Sequence, residues 1–356
     1  MERKEISTFK IAAAYIGTIV GAGFATGQEI LRFFACYGKP GILGLAVSAL
    51  LFAFFGYVIM FLGHKVKAES HLDVIRFAGK GIVTGFTDLL ITFFLFGAFA
   101  AMIAGTGALF SQQFGIKEWI GNVVMAVLTA VTVLIGFEAV INSISFVVPF
   151  LLLSVTGISL YTVIGNFPAF NATAVEAAKS GLVNGWLPAA ILYVSYNTVI
   201  SISVLGPLGA KAKDRKMIRR GSVFGGLGLG LGSLFIYLAL SSNLSEISHL
   251  EVPMIYIAGK IRPAVQILYA VILIAEIYTT AVGSLYGFAV RIGGRRKPKT
   301  EGKNKSIIIL TTVGAFIAGQ FGFSNIIKYL YPLVGYGGLL MLASLVFAKY
   351  KKEKAS

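Results

Sequence analysis

The sequence predicts an all-α protein that crosses a lipid bilayer many times. Its 356 residues are 56% apolar and only 13% charged, whereas soluble domains are roughly 45–50% apolar and about 25% charged. The mean hydropathy is +0.82, and a water-soluble globule of this size cannot cover so much apolar surface. The apolar residues form long runs of about 20, the length of a helix that spans the hydrocarbon core. These observations exclude a soluble enzyme, a disordered chain and a disulfide-rich secreted domain.

We predict one transmembrane unit, residues 1–356, with ten spanning helices in two halves of five. The first apolar run is too long for a cleavable signal peptide. An odd number of helices per half reverses the orientation of the second half, so the halves are expected to be inverted repeats at about 9–165 and 186–348. The spans are expected at 9–37, 41–63, 85–111, 119–137, 142–165, 186–207, 222–241, 262–290, 306–323 and 326–348.

Positive charges predict the orientation of these spans. The two termini and the connections after the second, sixth and eighth spans carry 24 of the 31 Lys and Arg residues, whereas the opposite side carries 6. Cytoplasmic connections of membrane proteins are enriched in Lys and Arg. We therefore expect a multi-pass protein of the bacterial cytoplasmic membrane with both termini in the cytoplasm.

The formal net charge of +16 does not indicate a nucleic-acid partner. A nucleic-acid binder gathers its basic residues on one folded face, whereas these residues are divided among short segments between apolar runs. The single cysteine, Cys36, excludes an intrachain disulfide. The three histidines are too scattered in the sequence for a metal site.

The first span is predicted to be an interrupted helix. Its centre contains four glycines, Gly17, Gly21, Gly23 and Gly27, and each weakens a helix by about 1 kcal/mol relative to alanine. Polar residues lie among and after them: Thr18, Thr26, Gln28 and Glu29. An open backbone at membrane depth is tolerated only inside protein or beside a wet cavity. Close helix packing would explain the glycines, but it does not require Gln28 and Glu29.

The sixth span is predicted to contain a matching interruption. Its centre carries four consecutive polar residues, Ser195, Tyr196, Asn197 and Thr198. Polar interruptions at corresponding places in two repeats are typical of a transporter binding site near the bilayer midplane. The ends of broken helices offer N–H groups to anions and C=O groups to cations. Helix packing is the alternative explanation here as well.

Three charged residues, Glu29, Arg32 and Glu276, lie inside the spans and away from the ends that carry the other charges. Glu29 and Arg32 are three residues apart on one helix face, where they can pair or form a gate near the outer mouth. Glu276 lies near the centre of the eighth span, and Thr279 and Thr280 share its helix face. Because an unpaired carboxylate at this depth costs several kcal/mol, Glu276 must face protein, water, a cation or a proton. The carboxylate and two hydroxyls suit a hard cation, and a packing cluster of hydrogen bonds is the alternative.

These residues resemble a known architecture. The stretch GTIVGAGFATGQEILRFF is similar to the broken first helix of the LeuT-fold transporters of the amino acid–polyamine–organocation superfamily. The whole chain resembles the YkvI-like bacterial membrane proteins. This resemblance implies a fold of ten transmembrane helices in a 5+5 inverted repeat, with broken first and sixth helices. It covers all ten spans in number and order, but the likeness of motifs is confined to the first helix and part of the eighth.

The resemblance also implies a cation site. In sodium-coupled members a sodium ion lies between the first-helix break and the eighth helix, which here implies the carbonyls of Gly17 and Val20 and the hydroxyls of Thr279 and Thr280. Glu276 falls where those members supply a further backbone carbonyl, so it either strengthens cation binding or replaces sodium coupling with proton coupling. Phe24 stands where a second sodium site has an asparagine, so no second site is expected. No cofactor is expected beyond this bound sodium ion.

The implied solute site lies between the two interruptions. Amide groups of Ala22, Gly23 and Phe24 would hold a solute carboxylate. The site is expected to include Ala22, Gly23, Phe24, Ala25 and Thr26 from the first span and Ser195, Tyr196, Asn197 and Thr198 from the sixth. Aromatic gates are expected from Phe93, Phe94, Phe96 and Phe99 of the third span.

The expected function is therefore a secondary transporter that couples sodium or protons to a small polar solute, such as an amino acid or an organic cation. Its expected partners are this solute and the lipid bilayer. No Walker-type phosphate-binding sequence, nucleophile–base pair or HExxH motif indicates an ATP-driven pump or an enzyme. The alternative is a ligand sensor on the same fold that binds a solute without moving it. The resemblance does not identify the solute or the oligomeric state.

Overall fold

Apolar helices form nearly all of the described structure. The computed structural model describes residues 6–79, 81–135, 138–166, 178–293 and 301–353, and no strand occurs within these ranges. Backbone polar groups find no water in the hydrocarbon core and must be satisfied within the chain, so long apolar runs fold as helices.

The described residues contain fifteen α-helices. In chain order they are α1 (Thr8–Ile19), α2 (Ala22–Ala25), α3 (Gln28–Phe33), α4 (Pro40–Val66), α5 (His71–Ala78), α6 (Ile82–Phe114), α7 (Glu118–Ile135), α8 (Glu138–Gly165), α9 (Trp186–Ala210), α10 (Arg215–Ser241), α11 (Leu244–Ile247), α12 (Pro253–Ile261), α13 (Pro263–Gly293), α14 (Glu301–Gly319) and α15 (Phe323–Glu353). A 3-10 turn at Ala35–Tyr37 joins α3 to α4.

The chain is a membrane protein with several apolar spanning helices. Among the described residues, α4, α6, α7, α9, α10 and α13 and the segment Phe323–Lys351 of α15 are long and apolar enough to cross a bilayer. Three shorter apolar segments are Thr8–Ile19, Pro149–Gly165 and Lys305–Gly319. Each predicted span thus contains an apolar helix, and the number of ten crossings stays a prediction.

The helix ends differ from prediction where polar side chains cap them. α10 begins at Arg215, earlier than the predicted 222, because Asp214 Oδ1 accepts a hydrogen bond from Met217 N at 2.7 Å. α15 begins at Phe323, where Glu251 accepts hydrogen bonds from the backbone N (2.6 Å) and the hydroxyl (2.8 Å) of Ser324. Such caps satisfy backbone N–H groups that have no partner within the helix.

Two long helices form the central contact of the bundle. α4 packs along α9, and it also contacts α10. Glycines allow the close approach, because Gly63 lies against the backbone carbonyl of Gly206 and Gly209 lies against that of Met60. α1 packs on α9 and α10 beside this pair, while α6 contacts α7, α13 and α15. The first span therefore lies against the central helices of the bundle.

The predicted interruption of the first span is confirmed. α1 ends at Ile19, and the next two residues are extended, with ψ of 104° at Val20 and −170° at Gly21. A second change of direction follows α2 at Gly27, where φ is +83°, a conformation that favours glycine. Within the described chain, the carbonyls of Gly17 and Val20 accept no backbone hydrogen bond from the turn that follows. These two oxygen atoms are therefore available to another donor or to a cation.

The predicted interruption of the sixth span is wrong. α9 is a continuous helix from Trp186 to Ala210. Its polar residues bond to carbonyls of the preceding turn: Asn197 Nδ2 donates to Tyr193 O (3.0 Å) and Thr198 Oγ1 to Val194 O (2.7 Å). Hydroxyl and amide groups that bond back to the helix backbone are satisfied without opening it. Of the two spans that were expected to be broken, the first is broken and the sixth is continuous.

Candidate functional site

The eighth predicted span, α13, faces the break in the first span. A Cβ atom built on Gly21 would lie 3.9 Å from Thr280 Oγ1, so this hydroxyl points at the extended segment. Thr279 Oγ1 donates to the carbonyl of Glu276 at 3.0 Å, which leaves its lone pairs available. A Cβ atom on Gly283, one turn further along α13, would meet no atom within 4 Å. Space therefore adjoins this face of the helix.

Glu276 is buried on the same face of α13. The residue is 4% exposed, and its Oε2 atom has no hydrogen-bond partner among the described residues. A buried carboxylate oxygen without a partner is costly. Glu276, Thr279 and Thr280 thus provide a carboxylate and two hydroxyls on one face of α13, and hard oxygen donors of this kind bind alkali or alkaline-earth cations.

The residues of α2 are buried, and they contact several helices. The ring of Phe24 lies beside Gly232 of α10. The Ala25 carbonyl accepts a hydrogen bond from Tyr269 Oη of α13 at 2.5 Å. The Thr26 carbonyl accepts one from the backbone N of Met254 at 3.1 Å. These contacts hold α2 between α10, α12 and α13.

The structure joins α2 to α9 through one side chain, Glu29. Its Oε2 atom accepts a hydrogen bond from Tyr196 Oη at 2.6 Å, and its Oε1 atom lies against Gly23. Ser195, by contrast, donates to the carbonyl of Gly335 in α15 at 2.7 Å. Of the four polar residues proposed in the sixth span, Tyr196 is therefore the one whose side chain reaches the first span through a described contact.

The expected pair of Glu29 and Arg32 takes separate partners. Arg32 donates from Nε to Gln28 Oε1 (3.1 Å) and from Nη1 to the carbonyl of Ala178 (3.0 Å). Glu29 turns instead toward Tyr196. The two side chains thus belong to different contacts, and their role as a gate stays a prediction.

Aromatic rings surround Tyr196. Its ring centroid lies 5.6 Å from Phe33, 6.1 Å from Phe94 and 4.9 Å from Tyr331. Phe94 is one of the four phenylalanines predicted as gates, whereas Phe93 is 43% exposed. Sequence reasoning missed Tyr331. It also missed Phe33, for which a sequence signal existed, because Phe33 lies four residues after Glu29 on the same helix face.

Hydrogen bonds to main-chain atoms connect the segment of α11 and α12 to its neighbours. Gln28 Nε2 donates to the carbonyl of Leu250 at 2.5 Å, and Met254 N donates to Thr26. Gln112 of α6 bonds to both the carbonyl (2.8 Å) and the N–H (3.1 Å) of Val252. The segment that contains α11 and α12 is therefore fastened to the first span and to α6.

The described side chains at the other end of α6 form a charged cluster. Arg291 of α13 pairs with Asp88 of α6 and lies within hydrogen-bond distance of His71 of α5. This cluster links three helices that the sequence did not place together.

Comparisons with known proteins support this architecture. No family model matches the chain. It is 28% identical to the membrane protein YkvI of Bacillus subtilis (strain 168) over 357 residues, which cover 100% of both chains. It is 27% identical to the protein YyaD of the same organism, over 93% of this chain and 94% of that one. The resemblance to the YkvI-like proteins is thus confirmed.

Solved structures show the fold. The chain resembles MhsT in complex with L-phenylalanine, with a TM-score of 0.64, 17% identity, and coverage of 93% of this chain and 87% of that one. It resembles Mhp1, a nucleobase-cation-symport-1 family transporter, in a closed conformation (TM-score 0.63, 13% identity, 93% and 75% coverage). It also resembles an outward-open sodium-coupled sialic acid symporter (TM-score 0.62, 13% identity, 96% and 79% coverage). The chain has the LeuT fold.

This fold explains why the break between α1 and α2 lies at the centre of the bundle. The family resemblance implied that α9 would share the interruption, and the continuous α9 is a departure from that implication. The side chains of Asn197 and Thr198 consequently bond within the helix, whereas those of Ser195 and Tyr196 reach neighbouring helices. The first span therefore contributes more of the candidate site, and α9 less of it, than the sequence predicted.

Proposed function

We propose that this protein is a cation-coupled secondary transporter of a small polar solute. The observation that carries the proposal is the extended segment at Val20, which is buried, and Gly21, which is half-buried and faces the hydroxyl of Thr280 of α13. Backbone that is open at membrane depth needs a function to offset its cost. A cation that binds both elements would hold them together, and its release would let them separate.

Coupling follows from this geometry. A bound cation contacts the carbonyls of Gly17 and Val20 on one side and the oxygens of Thr279, Thr280 and Glu276 on the other. Because it bridges the first span and α13, it favours the arrangement in which they are close. A ligand shifts a conformational equilibrium only by its difference in affinity for the two states. Solute bound beside α2 responds to the same movement, so ion and solute binding become linked.

The carboxylate of Glu276 decides which ion is used in this proposal. In its ionised form it adds a negative charge to the four neutral oxygen donors and strengthens a monovalent cation site. In its protonated form it needs no metal, and the proton itself is the coupling ion. In this proposal sodium coupling and proton coupling use the same site, with Glu276 ionised in one case and protonated in the other. The ion-binding and uptake measurements below distinguish them.

The first test is ion binding by the purified protein. We expect NaCl, compared with KCl at equal ionic strength, to raise the midpoint of thermal unfolding, because a ligand that binds only the folded state stabilises it. The double variant Thr279→Ala with Thr280→Ala should lose this shift, and Glu276→Gln should weaken it or abolish it. Glu246→Gln is the matched control, since this exposed carboxylate lies outside the site and pairs with Lys260.

The second test is uptake into proteoliposomes under a sodium or a proton gradient, with radiolabelled amino acids and amines as probes. Gradient-driven accumulation that depends on Glu276 supports the proposal. Binding without accumulation under either gradient would instead identify a ligand sensor. Cation dependence that is unchanged in both the Glu276 and the double threonine variants would remove the proposed ion site.

A further inference from the structure

The side chain of Glu29 is a buried acid without a basic partner. The residue is 5% exposed, and among the described residues no Lys, Arg or His forms an ion pair with it. The guanidinium group of Arg32, one turn away, is directed to Gln28 and to the carbonyl of Ala178. An isolated carboxylate in such surroundings is costly in its ionised form. The site therefore calls for a positively charged partner that the described part of the chain does not supply.

Its two oxygen atoms are held in place by α2 and α9. Tyr196 Oη donates to Oε2 at 2.6 Å, and Oε1 lies directly against Gly23, where any side chain would collide with it. The hydroxyl of Tyr196 thus positions the carboxylate over the backbone of α2. This is the place where the family resemblance would put a solute carboxylate.

Aromatic rings surround the ring of Tyr196, whose hydroxyl holds this carboxylate. Phe33, Phe94 and Tyr331 all pack on the ring of Tyr196, with centroid distances of 5.6, 6.1 and 4.9 Å. Faces of aromatic rings attract organic ammonium groups, and an acid combined with several rings is a recurrent way to bind them. A metal ion would instead require more oxygen ligands than one carboxylate and a phenol provide.

We propose that Glu29, positioned by Tyr196 and walled by these rings, binds the ammonium group of an organic amine. This inference rests on the transport function proposed above and names its class of solute. A solute carboxylate near α2 would face the like charge of Glu29, which is unfavourable at short distance in a medium of low dielectric constant. The site therefore selects amines over zwitterionic amino acids, and both over simple carboxylates.

The test compares molecules that share a carbon skeleton and differ in charge. The probes are isobutylamine, valine and isovalerate, and a larger set is phenethylamine, phenylalanine and 3-phenylpropionate. Their affinities for the purified full-length protein are measured from the concentration dependence of its thermal unfolding midpoint. We expect at least one amine to bind, its zwitterion to bind more weakly, and its carboxylate not to bind.

Variants assign the effect to the site. Glu29→Gln keeps an acceptor for Tyr196 but removes the charge, and it should weaken amine binding by about tenfold or more. Glu246→Gln should leave it unchanged. Tyr196→Phe keeps the ring and removes the hydroxyl that positions the carboxylate, so it should weaken amine binding by a few fold. This second variant keeps the test decisive if Glu29→Gln does not fold.

Three results would overturn the inference: no response of the wild-type protein to either amine, unchanged amine affinity in Glu29→Gln or Tyr196→Phe, or stronger binding of the carboxylates. The assay needs no ion gradient, so its outcome is separate from that of the transport proposal. Amine binding without gradient-driven uptake would overturn transport and leave the ammonium site. Gradient-driven uptake of a different solute without amine binding would support transport and overturn the ammonium site.

Discussion

Two buried acids differ in their immediate contacts. Glu29 has a phenolic donor at 2.6 Å, whereas Glu276 keeps one oxygen atom without a partner among the described residues. A hydrogen bond from Tyr196 keeps Glu29 in one place, which suits recognition of an organic group. The open oxygen of Glu276, beside two threonine hydroxyls, suits an ion. Their separate partners support the division of roles proposed here.

Gly23 is the residue on which the position of Glu29 depends. Any side chain at Gly23 would overlap the Glu29 carboxylate, so Gly23→Leu should displace it and reduce amine affinity by about tenfold or more. The measurement is the concentration of phenethylamine that gives half of the maximal shift in thermal unfolding.

The matched control for this change is Gly85→Leu. Gly85 is an exposed glycine of α6, and a Cβ atom there meets nothing within 4 Å. The Gly85→Leu variant should bind phenethylamine with the affinity of the wild-type protein. If Gly23→Leu also retained wild-type affinity, the amine pocket would have to lie elsewhere.

At the level of helices, α1 and α9 show why similar sequence patterns have different outcomes. The first span combines glycines with polar residues, and its helix opens at Val20 and Gly21. The centre of α9 has polar residues without a glycine, and three of them bond to carbonyls of their own helix. Glycine carries the larger cost in a helix, so the glycines of the first span, rather than polar residues as such, locate the break.

The contact between α4 and α9 depends on glycine for a different reason, close approach. A Cβ atom on Gly63 would collide with the backbone carbonyl of Gly206, and backbone cannot move aside as a flexible side chain can. We expect Gly63→Ala to destabilise the protein by about 1–3 kcal/mol, the usual cost of overpacking, and to lower the midpoint of thermal unfolding.

Gly85→Ala separates this effect from a change in helix propensity. It should leave the midpoint unchanged or raise it, since alanine is the better helix former and no atom lies nearby. Equal midpoints for Gly63→Ala and the wild type would mean that α4 and α9 are less closely packed than the structure shows.

At the scale of the whole molecule, hydrogen bonds to main-chain atoms fasten the segment of α11 and α12 to the first span and to α6, and we interpret this contact as a closure of one end of the site. Thr26, fully buried at the end of α2, accepts a bond from Met254, and Gln112 holds Val252 by two bonds. Alternating access requires such a closure to open and close. The positive charges of the connections predict that this end faces outward, and that orientation stays a prediction.

Gln112→Ala should loosen this closure. In a chain with Cys36→Ala, which removes the single native cysteine, a cysteine introduced by Thr26→Cys would report opening. We expect Gln112→Ala to increase the rate at which a membrane-impermeant maleimide labels this cysteine by up to about thirtyfold, because two hydrogen bonds of about 1 kcal/mol each are lost.

Gln320→Ala is the control, since the Gln320 side chain bonds only to Phe316 of its own helix among the described contacts. It should not change the labelling rate. Labelling that is equally slow in Gln112→Ala would show that the bonds to Val252 do not hold the site closed.

The sequence by itself determined the membrane setting, the position of the apolar helices and the break in the first span. Each of these depends on local properties: hydropathy along a run of residues, and the low helix propensity of neighbouring glycines. The resemblance of the GTIVGAGFATGQEILRFF stretch also led to the LeuT fold, which the structural comparisons confirmed.

Only the tertiary structure decided that α9 is continuous, that Glu29 turns away from Arg32 toward Tyr196, and that Phe94 and Tyr331 complete the aromatic wall. These outcomes depend on which of several available partners each side chain meets. Glu29 and Tyr196 are 167 residues apart in the chain, so no local sequence pattern could predict their contact. Hydrogen bonds and ring contacts between distant helices are decided by packing, so they appear only once the helices are assembled.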